Sequence, residues 1–378
     1  MTDSGHKSLG MYIHIPFCAT KCSYCDFSSQ AGRMALRAPY VDALTAEIAA
    51  RGQALGTPVV DTVYIGGGTP SLLQPEQMSR VLAAAHAHFR LSDGCEISCE
   101  ANPGMLSARF LAALRAGGVN RLSLGAQSAD DSLLPMLGRR HSWAQVVQAV
   151  HLARQHGFDN INIDLMMGIP GQTPDGWQDT LEAALALAPE HLSCYGLIVE
   201  EGTPLADRVA SGALSLPPEE AERAMYDHTL RRLARAGYTQ YEVSNFARPG
   251  RACLHNLHCW QRADYVGVGA AAHSLVGGDT RLSNPADIDA YLAGYSAQVQ
   301  RLTAEERRFE SVMLGLRTTA GVDLAAFEAM HGLSFQEAYG DSARKSLEQA
   351  LAVYTPDGFF RLTRRGMDVM NTVLLDFL

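Results

Sequence analysis

The sequence predicts an α/β fold: a partial (β/α)6 TIM-like barrel followed by a small C-terminal winged-helix-like α+β domain. Three observations carry this. Strand-like and helix-like stretches alternate from Met11 to about Val199, and alternating βα units imply a parallel sheet. Each strand-like stretch ends in glycine or polar residues, as expected where chemistry collects on the C-terminal rim of such a barrel. After about residue 300 the pattern changes to helices and one strand–turn–strand.

The strands are expected at 11–17, 59–65, 95–101, 119–126, 159–165 and 191–198, each short and either rich in Val, Ile and Leu or closed by Gly. The helices between them are expected at 39–54, 75–90, 107–116, 141–156 and 174–187. Pro39, Pro75-Glu76, Ser107 and Thr173-Pro174 are start signals. Gly117-Gly118 and Gly157 are stops. Right-handed crossovers curl six such units into an open barrel.

The first strand runs into MYIHIPFCATKCSYCDF, where Cys18, Cys22 and Cys25 are spaced C-x3-C-x2-C. Three thiolates on a tight loop can hold three corners of an iron–sulfur cube, leaving the fourth iron open to a small molecule. Zinc is the rival, but a structural zinc wants four ligands, usually as two C-x2-C pairs, and no second pair follows. A disulfide fits an odd number of loop cysteines poorly.

The chain has 378 residues, 47% of them hydrophobic, with a net charge of −9. That balance argues against a nucleic-acid binder with a broad basic face. No run of roughly 18 apolar residues suggests a membrane span. The N-terminus MTDSGHKSLG is too short and polar for a signal peptide. With eight cysteines, this points to a reducing, cytoplasmic setting.

The expected rim carries Gly66-Gly67-Gly68-Thr69-Pro70, Glu100, Gln127 and Asp164. The glycine run could be only a tight turn, the carboxylates helix caps, Gln127 a turn residue and Arg139 a solvated charge at a helix end. On one rim they can instead bond the hydroxyls and amino group of a nucleoside, with Arg139 meeting a carboxylate or phosphate.

The cysteine spacing after a first strand, with Tyr24 before the last cysteine, resembles the radical S-adenosylmethionine (SAM) family. YIHIPFC, IGGGTPSLL, EANPG, GVNRLSLGAQS, LGRRH, NIDLMMGIPGQT and LSCYGLIVEEGTPL narrow the likeness. They resemble the branch holding oxygen-independent coproporphyrinogen III oxidase and the HemW heme chaperones. The resemblance implies a radical SAM barrel with a [4Fe-4S] cluster on Cys18, Cys22 and Cys25. It implies SAM contacts from Tyr12, Tyr24, Gly67, Gly68, Thr69, Glu100, Gln127, Arg139 and Asp164. In the family, cluster reduction cleaves SAM to a 5′-deoxyadenosyl radical; in the oxidase some rim positions contact a second SAM.

Three features favour the chaperone side. Phe27 stands where the oxidase has a fourth cysteine, and only ten residues precede the expected first strand, where the oxidase has a longer extension. His255-Asn256-Leu257-His258-Cys259-Trp260 resembles the heme motif H-N-x-x-Y-W, with Cys259 in place of tyrosine. The likeness implies His255 as a heme ligand, although a histidine in a loop is also a common structural residue; His258 and Cys259 are further candidates. Expected domains are 1–245 for the barrel, 246–300 for a connecting segment with the heme motif, and 301–378 for the C-terminal domain. The resemblance further implies a heme-acceptor protein and an electron donor, and leaves room for peripheral membrane association and a homodimer. Oxidative decarboxylation of coproporphyrinogen III, or radical chemistry on another substrate, are the alternatives.

Overall fold

The structure, a computed structural model, describes residues 9–378. Six parallel strands form the barrel wall: β1 (Gly10–Ile15), β2 (Val59–Gly67), β3 (Arg90–Ala101), β4 (Arg121–Gln127), β5 (Ile161–Met167) and β6 (His191–Gly196). Five helices cross between them: α1 (Arg37–Ala54), α2 (Pro75–His88), α3 (Ala108–Ala116), α4 (Trp143–Gln155) and α5 (Pro174–Ala186). Pro75 and Pro174 sit in first turns, and Ser107 and Thr173 oxygens accept from Phe110 N and Gly176 N. Short polar caps and fixed φ thus start the helices where the sequence marks them. Met11, Ile13 and Ile15 are buried in the main core, while the intervening Tyr12 and His14 face the barrel interior beside β2. This is the period-two alternation of a strand.

The sheet does not stop at six strands. Beyond β6 lie β8 (Asn245–Ala247) and, outside it, β7 (Thr239–Gln240), both antiparallel additions. On the other side, β9 (Tyr265–Val268) runs parallel to β1, followed by antiparallel β10 (His273–Val276), β11 (Thr280–Ser283) and β12 (Gln298–Arg301). Residues 246–300, expected as a connecting segment, therefore need correction: they supply five strands of a 12-stranded sheet. They also supply α8 (Leu254–Trp260), numbered after α6 (Pro204–Ala210) and α7 (Glu219–Arg235), and α9 (Ile288–Leu292), so the heme-motif residues are helical rather than a loop. The first turn of α8 points its amides at Glu96 of β3, which accepts from Leu254 N (3.1 Å) and His255 N (3.2 Å). A carboxylate at a helix N-terminus satisfies donors that the helix itself cannot. Gly10, Thr62 and Glu96 are register partners, at the level where β1 begins and far from the strand ends that form the rim. So α8 closes the barrel floor, opposite the rim.

The C-terminal domain has its own core, including Val312, Phe327, Phe335, Phe360 and Phe377. Helices α10 (Ala304–Gly315), α11 (Leu324–His331) and α12 (Phe335–Glu348) surround a three-stranded sheet of Val322–Asp323, Ala352–Tyr354 and Phe359–Leu362. This is the winged-helix-like arrangement. After Thr363 the chain closes with two short helices, Arg364–Asp368 and Met370–Leu375. Arg262, just past α8, bonds Glu310 of α10 at 2.9 Å, and Arg281 of β11 bonds the other oxygen at 2.8 Å. This triad ties the barrel floor to the C-terminal domain. Among the described residues no helix is long and apolar enough to cross a membrane.

Candidate cofactor site

The cysteine loop is fastened before any metal is considered. Ser23 N donates to Leu137 O (3.0 Å), Ser23 Oγ to Met136 O (2.7 Å), and Leu205 N to Ser23 O (2.8 Å). Cys18, Cys22 and Cys25 are free, half-buried thiols on one cavity of about 420 Å³ at the rim. Burial pushes the Cys22 and Cys25 thiols up, and the Arg139 guanidinium beside Cys22 opposes that shift. Arg139 also donates to Tyr24 Oη at 3.0 Å, while its buried Nε finds no acceptor among the described residues. Arg139 lines the same cavity as the three thiols, and a guanidinium there suits an anionic or oxygen-bearing guest.

The glycine run lets backbone and carboxylate approach closely. A Cβ on Gly66 would lie 2.9 Å from the Glu100 carboxylate, and one on Gly68 would lie 2.6 Å from Phe17 O. Gly67 has φ +109°, a conformation that glycine adopts without strain. Its N–H donates to Glu100 Oε2 at 3.2 Å, and Tyr64 Oη donates to Oε1 at 2.9 Å. Burial raises the Glu100 carboxyl to about 7 and Asp164 adds repulsion, while the Tyr64 and Gly67 hydrogen bonds pull it down. Asp164 is raised by burial and held by Asn162 Nδ2 (2.6 Å) and Ser123 Oγ (3.2 Å). Gln127 sits at φ +69° beside a register shift in β4, and its Oε1 accepts from Tyr195 Oη at 2.6 Å.

Tyr24, Gly67, Gly68, Thr69, Glu100, Gln127, Arg139 and Asp164 thus share one lining with the three cysteines. Tyr12 does not; it walls an adjoining cavity of about 360 Å³ and bonds His14 Nδ1 at 3.0 Å. Tyr195 and Ser123 also line the first cavity and were not singled out from sequence, although Tyr195 is the last residue but one of the sixth strand. Phe27 is 65% exposed and borders both cavities.

The profile described as the radical SAM superfamily matches residues 12–184, and that of the HemN C-terminal domain matches 302–369. The heme chaperone HemW of Bacillus subtilis is 38% identical over 97% of this chain and 98% of its own. HemW of Mycobacterium tuberculosis is 39% identical over 85% of each. The chain belongs to the HemW family of radical SAM proteins. Membership implies a [4Fe-4S] cluster and SAM. The solved coproporphyrinogen III oxidase (HemN) of Escherichia coli, described as a radical SAM enzyme, superposes with a TM-score of 0.85 at 25% identity, covering 98% of this chain and 90% of that one.

The donor set fits what the HemW family implies: three soft thiols for a cluster, and carboxylates and close backbone for a cationic nucleoside. The HemW-type motif lies apart from them. His255 is only 5% exposed, its Nδ1 is 3.0 Å from Thr62 Oγ1, and its ring stacks on Tyr64 at 5.3 Å. Burial and the nearby His258 and Arg121 lower the imidazole to about 3, so the ring is neutral, the form that ligates iron. His258 Nε2 meets Asp264 O at 2.7 Å, and burial raises the Cys259 thiol to about 11. The structure therefore brings the cysteines and most rim residues together at one end, and sets His255 on the floor beneath them.

Proposed function

We propose that this chain is a HemW-type heme chaperone, holding one [4Fe-4S] cluster, SAM and heme and passing heme to an acceptor protein. The observation that carries the reading is a barrel with a three-thiol cavity at its rim and a neutral, buried His255 in a helix on its floor. Two features support it: whole-length identity to heme chaperones, and Phe27 in place of a fourth cysteine.

In this reading Cys18, Cys22 and Cys25 each hold one iron. Gly67, Gly68 and Thr69 present backbone to the methionine part of SAM. Glu100, Gln127 and Asp164 bind its hydroxyls and amino group, and Tyr24 and Arg139 close the side next to Cys22. Tyr12 contributes from the adjoining cavity wall. When bound, the cluster and SAM supply reducing and radical chemistry. His255 presents Nε2 to iron, because Thr62 occupies Nδ1. An electron donor, a protein acceptor and a cytoplasmic setting complete the proposal.

The test is an anaerobic heme titration of cluster-reconstituted protein, followed in the visible spectrum, for wild type and His255→Ala. Saturable binding that is lost in the variant is the expected result. Binding that survives the change moves the ligand elsewhere, and no binding to wild type overturns the chaperone reading. The likeness in fold to the oxidase favours a second reading, oxidative decarboxylation of coproporphyrinogen III. Protoporphyrinogen formed by reduced protein with SAM is the result that would establish it.

A further inference from the structure

Tyr64 touches both ends of the barrel. Its hydroxyl donates to Glu100 in the cofactor cavity at 2.9 Å. Its ring lies nearly parallel to the His255 ring, with centroids 5.3 Å apart and planes 27° apart. Thr62, which meets His255 Nδ1, is two residues earlier on the same face of β2. Gly66, two residues later, lies against the Glu100 carboxylate. One strand face therefore contacts His255 twice and Glu100 twice. Tyr12, Tyr64, His255 and His258 form a column of near-parallel rings, spaced 6.4, 5.3 and 6.5 Å. Tyr12, the neighbouring ring, hydrogen-bonds His14 instead of Glu100.

We propose that Tyr64 is a positioning residue that couples the two sites, so that SAM held at Glu100 tightens heme binding at His255. The inference deepens the chaperone reading and rests on it. SAM is cationic, and a cation beside Glu100 favours its carboxylate form. A carboxylate accepts a stronger hydrogen bond from a phenol than a neutral acid does. The tightened bond fixes the Tyr64 ring, and a fixed ring holds the flat surface against which His255 is oriented. Ordering that SAM has already imposed is then not charged to heme binding. Linkage requires the converse, with heme tightening SAM by the same factor.

The experiment is a heme titration of cluster-reconstituted protein, with the cluster kept oxidised so that SAM stays intact, without SAM and with saturating SAM. Wild type is expected to bind heme at least about fivefold tighter with SAM, the lower end of ordinary coupling between sites. Tyr64→Phe keeps the ring and the stack and loses only the tether, so its SAM effect is expected to fall below about twofold. Glu100→Gln cuts the same link from the other side and is expected to lose the effect at saturating SAM. A SAM effect equal in wild type and Tyr64→Phe, or none in wild type that binds heme, overturns the coupling. Wild type that binds no heme overturns the underlying reading instead, so the two failures are distinct.

Discussion

Glu96 Oε1 accepts the backbone N–H of His255 at 3.2 Å, so the residue expected to meet heme is anchored by a carboxylate on the third barrel strand. The same carboxylate takes Leu254 N at 3.1 Å. Two amide donors of a buried helix start would be orphaned without it. Glu96→Ala is expected to lower unfolding free energy by about 1–3 kcal/mol, the range for leaving buried donors unpaired. It should also weaken heme binding, because the start of α8 no longer holds His255 in place. Denaturant unfolding and a heme titration check the two halves. Unchanged stability would mean that α8 is held by its other contacts alone.

Gly67→Ala tests the rim. At φ +109° an added Cβ is strained, and it would lie 2.6 Å from His14 Nδ1. A cost of about 1–3 kcal/mol is expected from the backbone alone. The altered turn also displaces the N–H that bonds Glu100 at 3.2 Å. SAM affinity by calorimetry should therefore fall more than the thermal midpoint predicts for a purely structural defect. A variant that binds SAM as wild type does would remove Gly67 from the proposed contacts.

Much of this was legible in the sequence, and the exceptions have physical reasons. The six barrel strands show because buried strands are short apolar runs closed by glycine, and the rim shows because each such run ends in polar residues. Strands Thr280–Ser283 and Gln298–Arg301 were missed because they are only partly buried or exposed along their length and show no alternation. Helix α8 was missed because seven residues are too few for a 3.6-residue pattern to emerge. Helix α12 begins where the sequence does carry a signal, the capping box of Ser334 and Glu337. Tyr64 escaped notice because its partners lie 36 residues away at Glu100 and far down the chain at His255. Only the register of β2 shows that it faces the interior.

Glu310 sits between Arg262 and Arg281 and joins the barrel floor to the C-terminal domain. Arg262 is only 2% exposed on its side chain. Glu310→Ala strands a buried guanidinium, and breaking a buried pair from one side costs about 3–5 kcal/mol. Adding Arg262→Met should recover a large part of that loss, since the uncompensated charge goes with it. Urea unfolding of the single and double variants measures both. A double variant no better than the single would place the cost in lost packing.

Glu242 gives the junction of the two domains a pH dependence. It pairs across to Thr318 of the C-terminal domain, and Val243 N donates to Arg317 O at 3.1 Å. The residue is 2% exposed, and burial raises its carboxyl from 4.5 to about 7, against hydrogen bonds from Ser244 and Asn245 and the charge of Arg317, which pull it down. A raised carboxyl means that the folded chain keeps a proton which the unfolded chain releases between those two values. Its stabilising contribution is therefore complete below about pH 4.5 and is lost as pH rises through about 7. The span corresponds to about 3 kcal/mol at most. Glu242→Gln, neutral at every pH, should flatten this part of the profile and leave the variant relatively more stable than wild type at pH 8 than at pH 5. Urea unfolding at both pH values measures the difference. An equal gap between variant and wild type at the two values would show that Glu242 is ionised in the folded protein throughout.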